Sequence, residues 1–254
     1  MANYRNYEVP EYGTLKEMLA ASTAQFADRP AFREKADGVW REKTYREYGE
    51  DVNALGTELL AQGFGGKRII VTGINSYAWV VTYMAVICGV GVIVPVDKEI
   101  PAEELANIAH VSEAALVVYG AKSAEKVETL PPEVARCSFA KLSELIRAGK
   151  RRIAEGDRAY LDATVDPNVM SALIFTSGTT GVSKGVMLSH HNICFNLSEM
   201  CQMLYIGPKD TFLSVLPLHH AYECTCGFLC QVYRGSTVAF SEGLRYITRN
   251  MQEV

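Results

Sequence analysis

Residues 171–190 read Ser171-Ala-Leu-Ile-Phe-Thr-Ser-Gly-Thr-Thr-Gly-Val-Ser-Lys-Gly-Val-Met-Leu-Ser-His190. An apolar run, Met170 to Phe175, stops at Thr176-Ser177-Gly178-Thr179-Thr180-Gly181. Lys184 and Gly185 follow, then a second apolar run from Val186 to Leu188. The pattern predicts a strand, a glycine and hydroxyl loop carrying one lysine, and a second strand. Such a loop suits a polyphosphate, which needs many short-range donors and little steric bulk. Glycines let backbone N–H groups approach closely, and Thr176, Ser177, Thr179 and Thr180 add donors without charge. Lys184 supplies the cation. No Gly-Lys-Ser/Thr closes the loop, so it is not a Walker A sequence. A hydroxyl-rich surface turn is the alternative reading.

Upstream, Thr14-x-x-Glu17 is a capping-box pattern ahead of a stripe formed by Leu15, Met18, Leu19 and Phe26. Ala31 to Lys35 and Val39 to Tyr45, joined across Asp37-Gly38, predict a hairpin. Thr44-x-x-Glu47 caps a second helix bearing Tyr48, Val52, Leu55 and Leu59. Strand 68–72, helix 77–88, strand 92–96, helix 102–111 and strand 115–119 follow. This alternation predicts a parallel sheet covered by helices. Residues 121–165 are more polar, with a short helix expected at 142–148 and a connecting segment at 151–166. After the loop, helices are expected at 190–204, 221–233 and 244–254, and strands at 210–216 and 236–241. The last helix runs to Val254 without a cap, an ending that predicts a cut chain.

The chain has 254 residues, 48% hydrophobic and 21% charged, ordinary for a globular protein of one or two domains. A net charge of −4 argues against a nucleic-acid partner. Lys150-Arg151-Arg152, the only basic run, is expected as solvated cations in a loop. Seven cysteines, mostly within apolar periodic stretches, suggest reduced core thiols. Together with an N-terminus lacking an apolar signal core, they predict a cytoplasmic protein. Ser76 to Val96 holds no charge and is long enough to span a membrane. However, Gly89, Gly91, Pro95 and the β-branched Val92-Ile-Val-Pro-Val predict a buried helix and strand, so no transmembrane segment is expected. His219, His220, Cys224, Cys226 and Cys230 lack the paired spacing of a structural zinc site, and small hydrophobes on a buried helix explain the cysteines better; no metal ligands are assigned.

Thr176 to Gly185 resembles the phosphate-loop signature of the adenylate-forming (AMP-binding) superfamily of acyl-CoA synthetases, luciferases and adenylation domains. Ser183 stands where proline is usual. Leu216-Pro-Leu-His-His-Ala-Tyr-Glu223 resembles a second landmark, in its long-chain fatty-acid–CoA ligase form. The resemblance covers essentially the whole chain. It implies an α/β fold with mostly parallel sheets covered by helices, an incomplete N-terminal domain of the acyl-CoA synthetase-like fold. Residues 1–165 would form a first α/β portion and 166–254 the portion with the phosphate loop, the C-terminal domain being absent.

The resemblance further implies that a carboxylic acid, most simply a fatty acid, attacks ATP with Mg2+ to give acyl-AMP and pyrophosphate. Coenzyme A would then take the acyl group. Thr176, Ser177, Gly178, Thr179, Thr180, Gly181 and Lys184 would hold the β- and γ-phosphates, Lys184 also stabilising the departing charge. His220 would orient the carboxylate, its alternative being a solvated loop histidine; His219 has no comparable claim. Glu223 is expected simply to favour a helix N-terminus. The family's later Tyr-Gly-x-Thr-Glu and Thr-Gly-Asp segments are missing, so these residues alone are expected to be inactive and to bind ATP weakly. An enzyme loading a carrier protein and a non-catalytic nucleotide-binding module remain as alternatives.

Overall fold

The computed structural model describes residues 6–176 and 184–254. Helix α1 (Leu15–Gln25) starts at Thr14, whose hydroxyl accepts the Glu17 amide while the Glu17 carboxylate accepts the Thr14 amide. The hairpin β1 (Pro30–Ala36) and β2 (Val39–Thr44) turns at Asp37 and Gly38, both at positive φ, 52° and 77°. That pair of left-handed residues matches the strands' twist. A second capping box, Thr44 with Glu47, opens α2 (Tyr45–Ala61).

Strand β3 (Arg68–Thr72), α3 (Tyr77–Ala85), β4 (Val92–Val96), α4 (Ala102–Val111) and β5 (Ala114–Tyr119) realise the predicted alternation. The uncharged stretch at 76–96 is thus divided between a helix and a strand, and no helix among the described residues is long and apolar enough to cross a membrane. The helix is shorter than expected, because a π-helical turn at Val86–Val90 and an extended Gly91 close it. A Cβ at Gly91 would fall 2.1 Å from the Lys67 carbonyl oxygen, so only glycine admits this close return to β4.

The region 121–165 departs most from expectation. Helix α5 (Ala124–Glu128) leads to β6 (Ala135–Ser138), a strand the sequence does not announce. Helix α6 runs from Leu142 to Ala154, well beyond 148. Lys150, Arg151 and Arg152 therefore lie on a helix, not in a loop. Lys150 Nζ stands 2.7 Å from the buried Asp51, and Arg152 Nε 2.7 Å from the buried Glu58, both on α2. All three remain exposed, as expected of solvated cations, while Lys150 and Arg152 also reach these carboxylates. In the presumed connecting segment, Tyr160 is fully buried and donates its hydroxyl to Ala85 O at 3.0 Å.

Strands β7 (Met170–Thr176) and β8 (Lys184–Ser189) pair antiparallel. Then come α7 (His190–Met203), β9 (Thr211–Ser214), a π-helical turn Glu223–Leu229, α8 (Cys230–Arg234), β10 (Thr237–Phe240) and α9 (Ile247–Glu253). The expected helix at 221–233 is therefore wide-turned over its first half. The expected terminal helix begins as a 3-10 turn at Leu244–Tyr246.

Two sheets result, ordered β6-β5-β3-β4-β7-β8 and β2-β1-β10-β9. The first is parallel except for β8, the second except for β2. Alternate residues of β3 and β5 face opposite ways. Ile69, Val71, Leu116 and Val118 join a core shared with Phe32, Val238 and Phe240 of the smaller sheet and with α1, α2, α3 and α7. Ile70 and Val117 face Leu105 and Ile108 of α4 and Val127 of α5. Burial on both faces explains why these strands read as unbroken apolar runs.

Candidate functional site

Two adjacent parallel strands, β4 and β7, bring their carboxyl ends side by side, with Ile93 opposite Ala172. Open parallel sheets bind ligands in crevices at this end, because loops diverge there and leave room. Asp97 follows β4 directly, and Thr176 closes β7. A cleft of about 540 Å³ lies between them, walled by Phe175, Thr176, Asp97, Glu104, His219 and His220. Its two halves come from different sheets. Thr176 and Asp97 belong to the six-stranded sheet, whereas the histidines follow β9, the edge strand of the four-stranded one.

Thr176 is the first of the expected phosphate-binding residues and lines this cleft. Lys184 is its cross-strand partner in the β7–β8 hairpin and is exposed, although it does not itself line the cleft. Ser177, Gly178, Thr179, Thr180 and Gly181 lie outside the described residues. The two strands that flank them, β7 and β8, match the predicted strands. A lysine thus stands across the strand pair from the threonine that lines the cleft.

His220 lines the cleft as expected. His219 is a residue that sequence reasoning passed over. Its ring centroid lies 4.1 Å from that of His220, and its Nε2 is 3.7 Å from Asp97 Oδ2. That distance is too long for a hydrogen bond, and the buried Nε2 has no hydrogen-bond partner among the described residues. Burial pushes the His219 imidazole down to about 4; Asp97 opposes this, and His220 and Lys98 reinforce it. The ring is therefore neutral at physiological pH. Asp97 was also missed, although an aspartate directly after a predicted parallel strand is a legible signal.

Glu223 is more than a helix-terminal carboxylate. It is buried, accepts the Ser214 hydroxyl at 2.9 Å and takes a backbone hydrogen bond from Val215. Burial raises its pKa against these two bonds. Its carboxyl group occupies the space where Gly227 lacks a Cβ: an atom there would come 2.5 Å from Glu223 Cδ. The neighbouring cysteines behave as small hydrophobes, with Cys224 and Cys230 buried and Cys226 half-buried.

The geometry has relatives. Residues 19–252 match the AMP-binding enzyme family. A long-chain-fatty-acid–CoA ligase of Mus musculus is 26% identical over 82% of this chain and 34% of its own length. An L-proline–[L-prolyl-carrier protein] ligase of Pseudomonas fluorescens is 28% identical over 88% of this chain and 44% of its own. The chain thus spans less than half the length of these curated relatives. In fold it is similar to the crystal structure of a long-chain-fatty-acid–CoA ligase from Archaeoglobus fulgidus. That match has a TM-score of 0.83 at 20% identity, covering all of this chain and 52% of the other. With the match running through nearly its whole length, this chain belongs to the family of AMP-binding enzymes.

Proposed function

We propose that the chain provides the phosphate-gripping and carboxylate-orienting part of an ATP-dependent acid–thiol ligase. The observation that carries this reading is the convergence of Thr176 and His220 on one cleft, with Lys184 opposite Thr176 across the hairpin. The described donors suit a nucleotide polyphosphate: the Thr176 hydroxyl on the cleft wall and the Lys184 ammonium across the strand pair from it. Lys184, Thr176 and the residues 177–181 between them would hold the β- and γ-phosphates. Donors already in place there stabilise charge that grows on departing pyrophosphate without reorganising during the reaction. Magnesium, arriving with the nucleotide, would neutralise part of the phosphate charge. His220 would orient the attacking carboxylate towards the α-phosphate.

The product is an acyl-adenylate, a mixed anhydride whose acyl carbon a thiol can attack with AMP as leaving group. A fatty acid as the acid and coenzyme A as the thiol are the reading best supported by the similarity to fatty-acid–CoA ligases. The similarity to a carrier-protein ligase favours a second acceptor, a carrier-protein thiol. The Tyr-Gly-x-Thr-Glu and Thr-Gly-Asp segments do not occur in these 254 residues. By themselves they should not form acyl-CoA.

Acid-dependent exchange of pyrophosphate into ATP tests the reading. A panel of fatty, aryl and amino acids would be assayed with this chain and with the full-length gene product that carries it. Exchange that requires a fatty acid, in the longer protein alone, is expected. Exchange indifferent to every acid, or none at all in the longer protein, would sink the proposal. Transfer to coenzyme A or to a carrier protein then separates the two acceptors.

A further inference from the structure

The cleft depends on a registration between two sheets that its lining residues do not provide. Asp97 and Thr176 are fixed by β4 and β7, inside the six-stranded sheet. The histidines ride on a loop leaving β9, a four-residue edge strand of the other sheet. Within that loop the backbone hydrogen bonds are short-range: His220 N–H to Pro217 O, then Cys224 N–H to His220 O. Such bonds shape the loop without saying where it sits relative to Thr176.

Asn75 supplies that information. It lies in the turn between β3, a central strand of the larger sheet, and α3, whose cap is Ser76. Its amide Nδ2 donates to Ser214 Oγ at 2.9 Å and to Leu216 O at 2.7 Å, while its Oδ1 accepts the Leu218 N–H at 3.1 Å. One planar group thereby holds both ends of Leu216-Pro217-Leu218, immediately before the histidines. The far side of Ser214 is anchored in turn, since its hydroxyl donates to the buried Glu223. A carboxamide is required, because the three contacts use two donors and one acceptor on one short side chain.

We propose that Asn75, backed by Ser214 and Glu223, is the positioning residue of the histidine loop, setting His219 and His220 against the phosphate-binding half of the cleft. Its catalytic meaning rests on the ligase reading above. The registration itself does not, and can be measured without substrate.

Histidine-labelled protein, titrated by NMR at the imidazole nitrogens, reports the loop's position. The charged and titratable groups around His219 are Asp97, Lys98 and His220, with Glu104 on the same cleft. In the wild type, burial holds His219 near 4. Asn75→Asp keeps the size and the acceptor but loses both donors, and sets an anion near Leu216 O. It should release the loop and raise the His219 value by at least one pH unit, tenfold in proton affinity, towards about 6.5 for a free imidazole. The Leu218 amide should also exchange with solvent at least tenfold faster. Glu223→Ala should do the same, whereas Glu223→Gln, which keeps an acceptor for Ser214, should restore the low value. Should Asn75→Asp fail to fold, the Glu223 pair decides. A folded Asn75→Asp or Glu223→Ala protein with His219 still near its wild-type value would overturn the proposal. A released loop in a protein whose full-length form shows no acid-dependent exchange would uphold the registration and sink the ligase reading alone.

Discussion

Gly149 of α6 lies on the backbone of Ala54 in α2, so close that a Cβ at 149 would sit 1.8 Å from the Ala54 carbonyl oxygen. The two helices meet along this line, and the ion pairs Lys150–Asp51 and Arg152–Glu58 flank it. Backbone cannot rotate aside as a side chain can. Gly149→Ala should therefore separate the helices and cost about 3 kcal/mol, the upper range for overpacking. Urea denaturation measures this directly. A loss below about 0.5 kcal/mol would mean that α6 is free to slide.

This contact also marks where sequence patterning fails. Local signals are strong where one segment decides its own conformation. The two capping boxes at Thr14 and Thr44 and the Asp37-Gly38 turn were legible, because each is completed within four residues. The strand and helix alternation at 68–119 was legible because burial on both faces leaves continuous apolar runs. Helix α6 was not, since its charges read as loop until Asp51 and Glu58, some 95 residues earlier, are seen to receive them. The pairing of β1 with β10, Phe32 beside Val238, has no local signal at all. Thr176 and His220, which line the cleft, and Lys184, the cross-strand partner of Thr176, all lie in stretches that a family signature singles out. Asn75 does not: a lone asparagine ahead of a helix reads as turn chemistry, and its partners lie about 140 residues away.

His190 shows a histidine committed to structure. Fully buried, it accepts the Leu15 amide on Nδ1 at 3.0 Å, which leaves Nε2 protonated to donate to Ile87 O, also at 3.0 Å. It thus ties the first turns of α1 and α7 to the π-helical turn after α3. His190→Ala removes two buried hydrogen bonds and leaves a donor and an acceptor stranded, which should cost about 3 kcal/mol. His190→Ala stability within 1 kcal/mol of the wild type would contradict this role.

Acid should weaken the fold through its histidines before its carboxylates. Burial lowers both His190 and His219, the latter to about 4. Above about 6.5, the unfolded value, both states are neutral and nothing is lost. As pH falls below it, the unfolded chain binds protons that the native state refuses, so stability declines until the native values are reached. Raised carboxyls at Glu34 and Glu223 act in the opposite sense, gaining stability as pH falls. The difference between wild type and His219→Gln isolates one group: the urea midpoint of the variant should fall less between pH 6.5 and 4. Parallel pH profiles would show that His219 titrates normally.

Lys184 carries the most direct test of the phosphate assignment. Its side chain is exposed at the start of β8, opposite Thr176, so removing its charge should leave the fold intact. A charge-assisted hydrogen bond to an anion is worth about 1.5–3 kcal/mol, or roughly ten- to a hundredfold in affinity. Lys184→Met should weaken binding of magnesium pyrophosphate by that factor, measured by titration calorimetry on the folded chain. Lys184→Arg should keep part of the affinity, since charge persists while its geometry changes. Raising the salt concentration should weaken the wild type more than Lys184→Met, because one ion pair at an exposed rim is screened. Equal pyrophosphate affinity in wild type and Lys184→Met would remove Lys184 from the phosphate site.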